Sequence, residues 1–487
     1  MGDLVTWRRG DLLGIPAYDL SEHCVILGST GSGKTEAELR FAYGGKKVYR
    51  KQVIYIDAKG DERQDTPARF FAAMKAAGAR TIRMFPSTYY NGWLGDATLL
   101  YNRLMAIIDY SESPYYGDVA ADAVRFAVFA PGGPPRSSRE FLANLNQDRL
   151  KALYKGMPEV AAIGTLDRRL LGQVQMRYRV FFGAIRGQLD GPLSYDGVDA
   201  VYMRIRGFAL RDEAPRLGRF LALDYAHYVD SRKPRDVEAM LIIDEYNALH
   251  MGSEGSILFE QGRSFGTSVL VASQSYAGLG ERRHVERMLG AANTYVLLRC
   301  SDPEEICKRI GKKPRVRANW NVQMGAATGQ GYMGVYDDLK INPDHVRQQE
   351  RGQAFIGNSG RAQQILFARV ELTPQQVEEG WRMIRKEESE QAALRAAADA
   401  QAAAQYTAAS QPQSQKQRQK PKAAPQNQTP PPGAKGAATG QGGAQGAPKT
   451  TALPSTPPTA PLSQTPPQVP DDQQQPGKPD EEEPDRI

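Results

Sequence analysis

Up to about position 370, short apolar runs alternate with amphipathic stretches, and glycine or charged positions mark where one gives way to the other. Residues 24–27 read as a buried strand, and 34–43, rich in Glu, Ala, Leu and Arg, read as the helix after it. "QVIYIDAKGD" is a second buried strand ending at Asp57, a helix is expected over 67–77, and a third strand near "RTIRMF". Strand and helix in alternation build a parallel sheet, so residues 1–95 are expected to form the first part of an α/β core. From 96 to 206 the pattern turns helical, with Ala/Leu/Arg/Tyr-rich segments broken by "APGGPPRSSR" and "QLDGPLSYDG", and predicts an all-helical insertion domain. Strand-length runs return in 207–372, as "AMLIID", "TSVLVAS", "NTYVLLR" and "GQAFIG", so the core is interrupted and then resumed. A helical segment is predicted over 373–410. Residues 411–487 are Pro, Gln, Gly and Ala with few aromatics, a composition that cannot bury enough apolar surface to fold, and are expected to be a disordered tail with an acidic end.

The break between the first strand and its helix carries chemistry. It reads Gly28-x-x-x-x-Gly33-Lys34-Thr35, and residues Gly28, Ser29, Thr30, Gly31, Ser32, Gly33, Lys34 and Thr35 have the make-up of a loop that cradles phosphates. Glycines let backbone N–H groups converge on phosphate oxygens, the helix N-terminus adds positive potential, Lys34 reaches the β- and γ-phosphates, and the Thr35 hydroxyl ligates Mg²⁺. The ligand expected is a nucleoside triphosphate, ATP, with Mg²⁺.

"EAMLIIDEYNALH" ends an apolar run in Asp244 and Glu245, at the strand's carboxyl edge where α/β sheets bind ligands. Alone it reads as a strand leaving the core. Beside a phosphate loop it supplies Asp244 to hold Mg²⁺, through water or indirectly through Thr35, and Glu245 to orient and deprotonate the attacking water. Further on, "VLVASQS" puts Gln274 at another strand end, where it can bond the γ-phosphate or the attacking water. Arg263, before a glycine turn, is either a surface cation or a guanidinium given to a neighbouring subunit's site.

The chain has 487 residues, 62 Lys and Arg against 55 Asp and Glu, and a net charge of +7, a basic excess that favours polyanionic partners. Cys24, Cys300 and Cys307 have neither zinc-ligand spacing nor a disulfide framework, and the five histidines are scattered, so a reduced, cytoplasmic setting is expected and no metal beyond Mg²⁺. No run approaches the ~20 apolar residues of a membrane span. "YRKQ" and "KRIGKKPRVR" are basic runs that suit a solvated face, the second also a DNA contact, and "DAKGD" places Asp57, Lys59 and Asp61 at a strand exit near the nucleotide.

Taken in order, "HCVILGSTGSGKT", "IYIDAKGD", "LIIDEYNAL", "GRSFGTSVLVASQS", "ANTYVLLRCSDPEE" and "RGQAFIGNSG" resemble the coupling proteins of conjugation and type IV secretion, relatives of the FtsK and HerA translocases, over about residues 20–370. The resemblance implies a RecA-like P-loop NTPase core carrying an all-helical insertion, working as a DNA-pumping ATPase in a homo-hexamer. It implies that Lys34, Thr35, Asp244, Glu245, Arg263 and Gln274 serve as phosphate, Mg²⁺, water-activating, finger and sensor residues. Most such proteins carry a membrane anchor ahead of the phosphate loop, whereas here the loop already opens at Gly28, so an anchorless chain is expected, associated with the membrane only through a separate membrane or secretion-channel protein. Its acidic end, Asp471, Asp472, Asp480, Glu481, Glu482, Glu483 and Asp485, resembles tails that engage relaxosome or other DNA-processing proteins. An FtsK- or HerA-like translocase, or a viral DNA-packaging ATPase without a secretion channel, fits the same residues. So does an adaptor that uses nucleotide only to assemble, whereas a small-molecule kinase would need an acceptor-binding lid in place of the insertion.

Overall fold

Where parallel strands are covered by helices on both faces, they are apolar at nearly every position, and the strand before the phosphate loop is buried at all five of its residues, His23 included. The computed structural model describes residues 5–8, 11–14, 22–60, 64–108, 114–232, 237–251, 253–323, 326–358 and 361–410. These fall in the unit Met1–Pro412. The expected disordered tail and its acidic end lie outside them, as does Asp61.

In chain order the strands are β1 (Val5–Arg8), β2 (Asp11–Gly14), β3 (His23–Leu27), β4 (Gln52–Asp57), β5 (Ile82–Phe85), β6 (Ala200–Arg204) and β7 (Ala239–Asp244). They continue with β8 (Thr267–Ser273), β9 (Ala292–Leu297), β10 (Lys312–Gln323), β11 (Ala326–Leu339), β12 (Gln353–Gly357) and β13 (Ala362–Phe367). One sheet runs β2-β1-β13-β12-β9-β3-β8-β7-β4-β6-β5. Its stretch from β9 to β5 is parallel throughout, and the strands from β12 to β2 are added antiparallel. Chain order reverses at β3, which lies between β8 and β9, so a crevice opens beyond its carboxyl end.

Alternate side chains of each strand go to opposite faces. Val25, Leu27, Ile54 and Ile56 join one core, with Tyr178, Phe182 and Phe220 from the helices above. Cys24, Ile26, Val53 and Tyr55 join the other, with Phe41, Phe70 and Ile384 below.

The span 96–206 holds the helices Ala97–Ile107, Pro114–Val128, Ser138–Asn144, Gln147–Leu153, Glu159–Thr165 and Arg168–Ala184. Trp93, Phe141, Tyr178 and Phe182 pack at its centre, with ring centroids 4.9 Å apart for Phe141 and Tyr178. One part of the helical expectation is corrected: Ala200–Arg204, inside that span, is a buried central strand between β4 and β5. The helical part therefore closes before it, where bridges join Tyr90 to Leu193 and Asn91 to Asp190. The returning segment opens not on a strand but on the helices Gly207–Leu210 and Glu213–Asp230, ahead of β7.

The helix Pro374–Ser410 lies against the helix Thr66–Ala76. Gly380 makes that approach possible, since a Cβ there would sit 2.3 Å from the Ala68 carbonyl oxygen. Strands β10 and β11 form a separate two-stranded ribbon, and the "KRIGKKPRVR" stretch is divided between the end of the helix Glu304–Ile310 and the start of β10, with Arg315 3.5 Å from Asp338 across the pair.

Candidate active site

Gly31 and Gly33 adopt φ values of 78° and 112°, in the left-handed region that side chains rarely enter, and let the loop turn back on itself. Gly28 is needed for space: a Cβ there would lie 2.5 Å from Ser32 Oγ and 2.9 Å from Leu298 Cβ. Gly33 caps the helix Lys34–Lys47 without any side-chain bond, so the first-turn N–H groups stay open to an anion. The loop is braced on both sides. Gly28 N–H donates to Ser273 O at 3.0 Å, Ser29 N–H to Arg299 O at 2.7 Å, and Gly352 N–H to Ser32 O at 2.9 Å. The Lys34 ammonium, almost buried, donates to Gly28 O at 2.6 Å, folding over the place where phosphates bind in such loops.

Strands β4 and β7 end together, with Asp57 and Asp244 paired in register. Asp57 is held in place by the N–H groups of Lys59 (3.0 Å) and Gly60 (2.8 Å) and by the Tyr202 hydroxyl (2.7 Å). Asp244 is held less completely: its Oδ1 is buried without a hydrogen-bond partner, and so is Oε1 of Glu38, one helical turn beyond Lys34. The Tyr55 hydroxyl donates to the other Glu38 oxygen. Burial, together with the Asp57 and Glu245 charges, pushes Asp244 up to about 6, while Glu38, wholly buried beside Asp244, is raised well above the usual carboxylate range. A buried carboxylate oxygen without a hydrogen-bond partner suits a hard divalent cation such as Mg²⁺.

The raised Asp244 has a testable sign. A carboxyl whose folded pKa lies above its ordinary value of 3.8 costs stability progressively as the pH rises from 3.8 to about 6, and carries the full cost above that, because the unfolded chain ionises first and the fold disfavours the charge. Nucleotide-free Asp244→Asn protein is therefore expected to gain stability over the parent at pH 7, by up to ~3 kcal/mol, with the margin shrinking towards pH 4. Denaturant unfolding of the two proteins across that interval checks it. The difference between them cancels the opposite contributions of His23 and His227, which burial holds down to about 4.

Glu245 follows with φ 56°, a left-handed conformation that a non-glycine residue adopts only under constraint. Its Oε1 accepts a bond from Gln274 Nε2 at 2.5 Å, and Gln274 Oε1 accepts from the Thr30 hydroxyl at 3.4 Å. The end of β8 thus links the phosphate loop to Glu245. Lys34, Thr35, Asp244, Glu245 and Gln274 meet at one sheet edge; Arg263 does not. It lies in the turn before β8, at the opposite edge, ~20 Å away along a seven-residue strand. Its side chain is 70% exposed, 3.2 Å from Glu22.

Glu38, Tyr55 and Gly352 were not expected here. For Glu38 a signal existed: one turn past Lys34 on the same helix, it shares that residue's face. Gly352 had none, since it belongs to the far end of the core sequence and reaches Ser32 only through the fold.

No protein-family model matches the chain, and no curated protein sequence does. Solved structures do. The fold, an α/β core bearing an inserted helical part, is similar to that of a conjugative coupling protein, as the sequence resemblance implied. In particular it is similar to the bacterial conjugative coupling protein TrwBdeltaN70 in an unbound form, with 14% identity and a TM-score of 0.55, covering 76% of this chain and 89% of that one. TrwB solved with ADP and Mg²⁺, and with the non-hydrolysable ATP analogue ADPNP, gives 14% identity and a TM-score of 0.54 over 74% of this chain and 88% of that one. Among the described residues no helix is long and apolar enough to cross a membrane.

Proposed function

We propose that this chain is an ATPase that moves DNA as a ring-shaped homo-oligomer, acting as a coupling protein in conjugative or type IV secretion transfer. The observation that carries the reading is the convergence of Lys34, Thr35, Asp244, Glu245 and Gln274 on one crevice, at the switch point of a fold shared with TrwB. The phosphates of ATP lie on the loop N–H groups and the Lys34 ammonium, which leaves Gly28 O to meet them. Thr35 and Asp244 hold Mg²⁺, which neutralises phosphate charge when bound. Glu245 orients a water and takes its proton, while Gln274, already bonded to Glu245, registers whether the γ-phosphate is present. A further cation against the developing charge comes, on this reading, from a second subunit. Arg263, exposed at the far edge, supplies it to the adjacent subunit.

The test is phosphate release with and without single- and double-stranded DNA over a protein concentration series. Stimulation by DNA and a rate per chain that rises with concentration are expected; no stimulation by either strand type would overturn the translocase reading. A second arm mixes two inactive proteins, Arg263→Ala and Glu245→Gln. Mixed rings contain interfaces with both residues intact, so partial activity should return, and no return in rings shown to be mixed removes Arg263 from the site.

A further inference from the structure

A cleft of about 1210 Å³ opens at the sheet edge where β4, β5 and β6 begin, opposite the edge that bears the phosphate loop. Its lower wall is pre-formed by paired groups. Asp224 is bonded by the buried Arg103 and by the Tyr90 hydroxyl. Asp199 takes Lys46 Nζ at 2.5 Å and the N–H groups of Arg80 and Thr81 at 2.8 and 3.1 Å. Gln52 Nε2 donates to Tyr195 O and Val198 O at 2.5 and 2.9 Å, and its Oε1 accepts from the Tyr228 hydroxyl at 3.0 Å.

With Asp199 and Asp224 neutralised by Lys46 and Arg103, the remaining charges lining the cleft are Lys47, Arg50, Arg80 and Arg232 against Asp196 alone, four less one, or +3. None of the four makes an ion pair among the described residues. Arg232 instead lies over the Tyr228 ring, 5.6 Å from its centroid, and its Nη1 is buried without a partner, as is Nδ1 of the neighbouring His227. Cations scattered on a convex surface are ordinary. Cations gathered in a concavity whose acids are already satisfied focus a positive potential into it. The volume lies somewhat above the usual range of small-molecule sites, roughly 300–1,000 Å³, and leaves room for a ligand of nucleotide size.

We propose that this cleft is a second anion site, separate from the phosphate loop, which takes a phosphate-bearing ligand of nucleotide size. Guanidinium groups match phosphate oxygens, and the walls need little rearrangement to receive them. The phosphates can belong to a free nucleotide or to a nucleic-acid strand. The proposal does not rest on the ATPase reading, since none of these residues serves that site.

The experiment compares the full chain with an Arg50→Gln/Arg80→Gln/Arg232→Gln variant at 50 mM salt, using two probes: ATPγS and a labelled 12-nucleotide oligothymidylate. To weaken ATPγS binding at the phosphate loop equally in both, the two proteins also carry Lys34→Ala. Binding of one probe is expected to weaken about tenfold in the triple variant, with the loss shrinking at 0.5 M salt as charges are screened. Loss confined to ATPγS assigns a free nucleotide; loss confined to oligothymidylate assigns a strand; loss of both assigns the shared phosphate chemistry. Equal binding of both probes to parent and variant overturns the proposal. Should the triple variant melt earlier than its parent, Arg50→Gln/Arg80→Gln serves instead, because both side chains are on the exposed rim, with about threefold weakening expected.

Discussion

Glu245→Gln protein is expected to bind ATP within about twofold of the parent while its maximal rate of phosphate release falls about 10²- to 10⁴-fold. The amide keeps the size of the side chain and can still bond to Gln274 after a rotation, so the strained backbone at φ 56° has no reason to relax. On the proposed reading, what disappears is the carboxylate's capacity to accept a proton from the attacking water. The readouts are separate: a fluorescent nucleotide titration for binding, and single-turnover phosphate release for chemistry. Turnover at the parent rate would remove Glu245 from the chemistry and leave Asp244 or Glu38 as the nearest carboxyl groups.

Lys34→Ala has the opposite signature. Among the described residues its almost buried ammonium donates to Gly28 O, so in the free protein the loss exposes one loop carbonyl and removes a cation near Asp244 and Glu38. With a nucleotide present, a charge-assisted bond to phosphate is gone, which weakens binding about 10- to 100-fold. Titration of the nucleotide should show the change even in the absence of hydrolysis, and circular dichroism should be unaltered. Parent-like affinity would mean that phosphates do not lie on this loop.

How much of this could be read in advance depended on sequence distance. The strand ending at Leu27, the glycines, Lys34 and the carboxylates of β7 were legible because each is specified by its immediate neighbours. Ala200–Arg204 was hidden because "AVYMR" is short and sits among Ala, Tyr and Arg that also suit helices; its place between β4 and β5 is decided by the sheet. The position of Arg263 at the far edge could be inferred from its place before a strand rather than after one, which is visible in "GRSFGTSVLVASQS" only when the direction of the strand is considered. The brace from Gly352 to Ser32 was beyond any local pattern, being a backbone contact made possible by the turn that feeds β12.

The pairing of β3 has a consequence for how the protein is made. Val25 finds its parallel neighbours at Val271 and Tyr295, which leave the ribosome only after the whole helical insertion has been made. At about 5–20 residues per second, the strand and its phosphate loop wait ~12–50 s before either flank exists. During that interval a wholly apolar stretch, "VIL", has no partner strand on either edge, and a nucleotide present in the cell has no finished cradle to occupy. Until synthesis reaches Gly352 the loop lacks its brace at Ser32, and a chain cut short anywhere between β3 and β12 leaves this sheet incomplete.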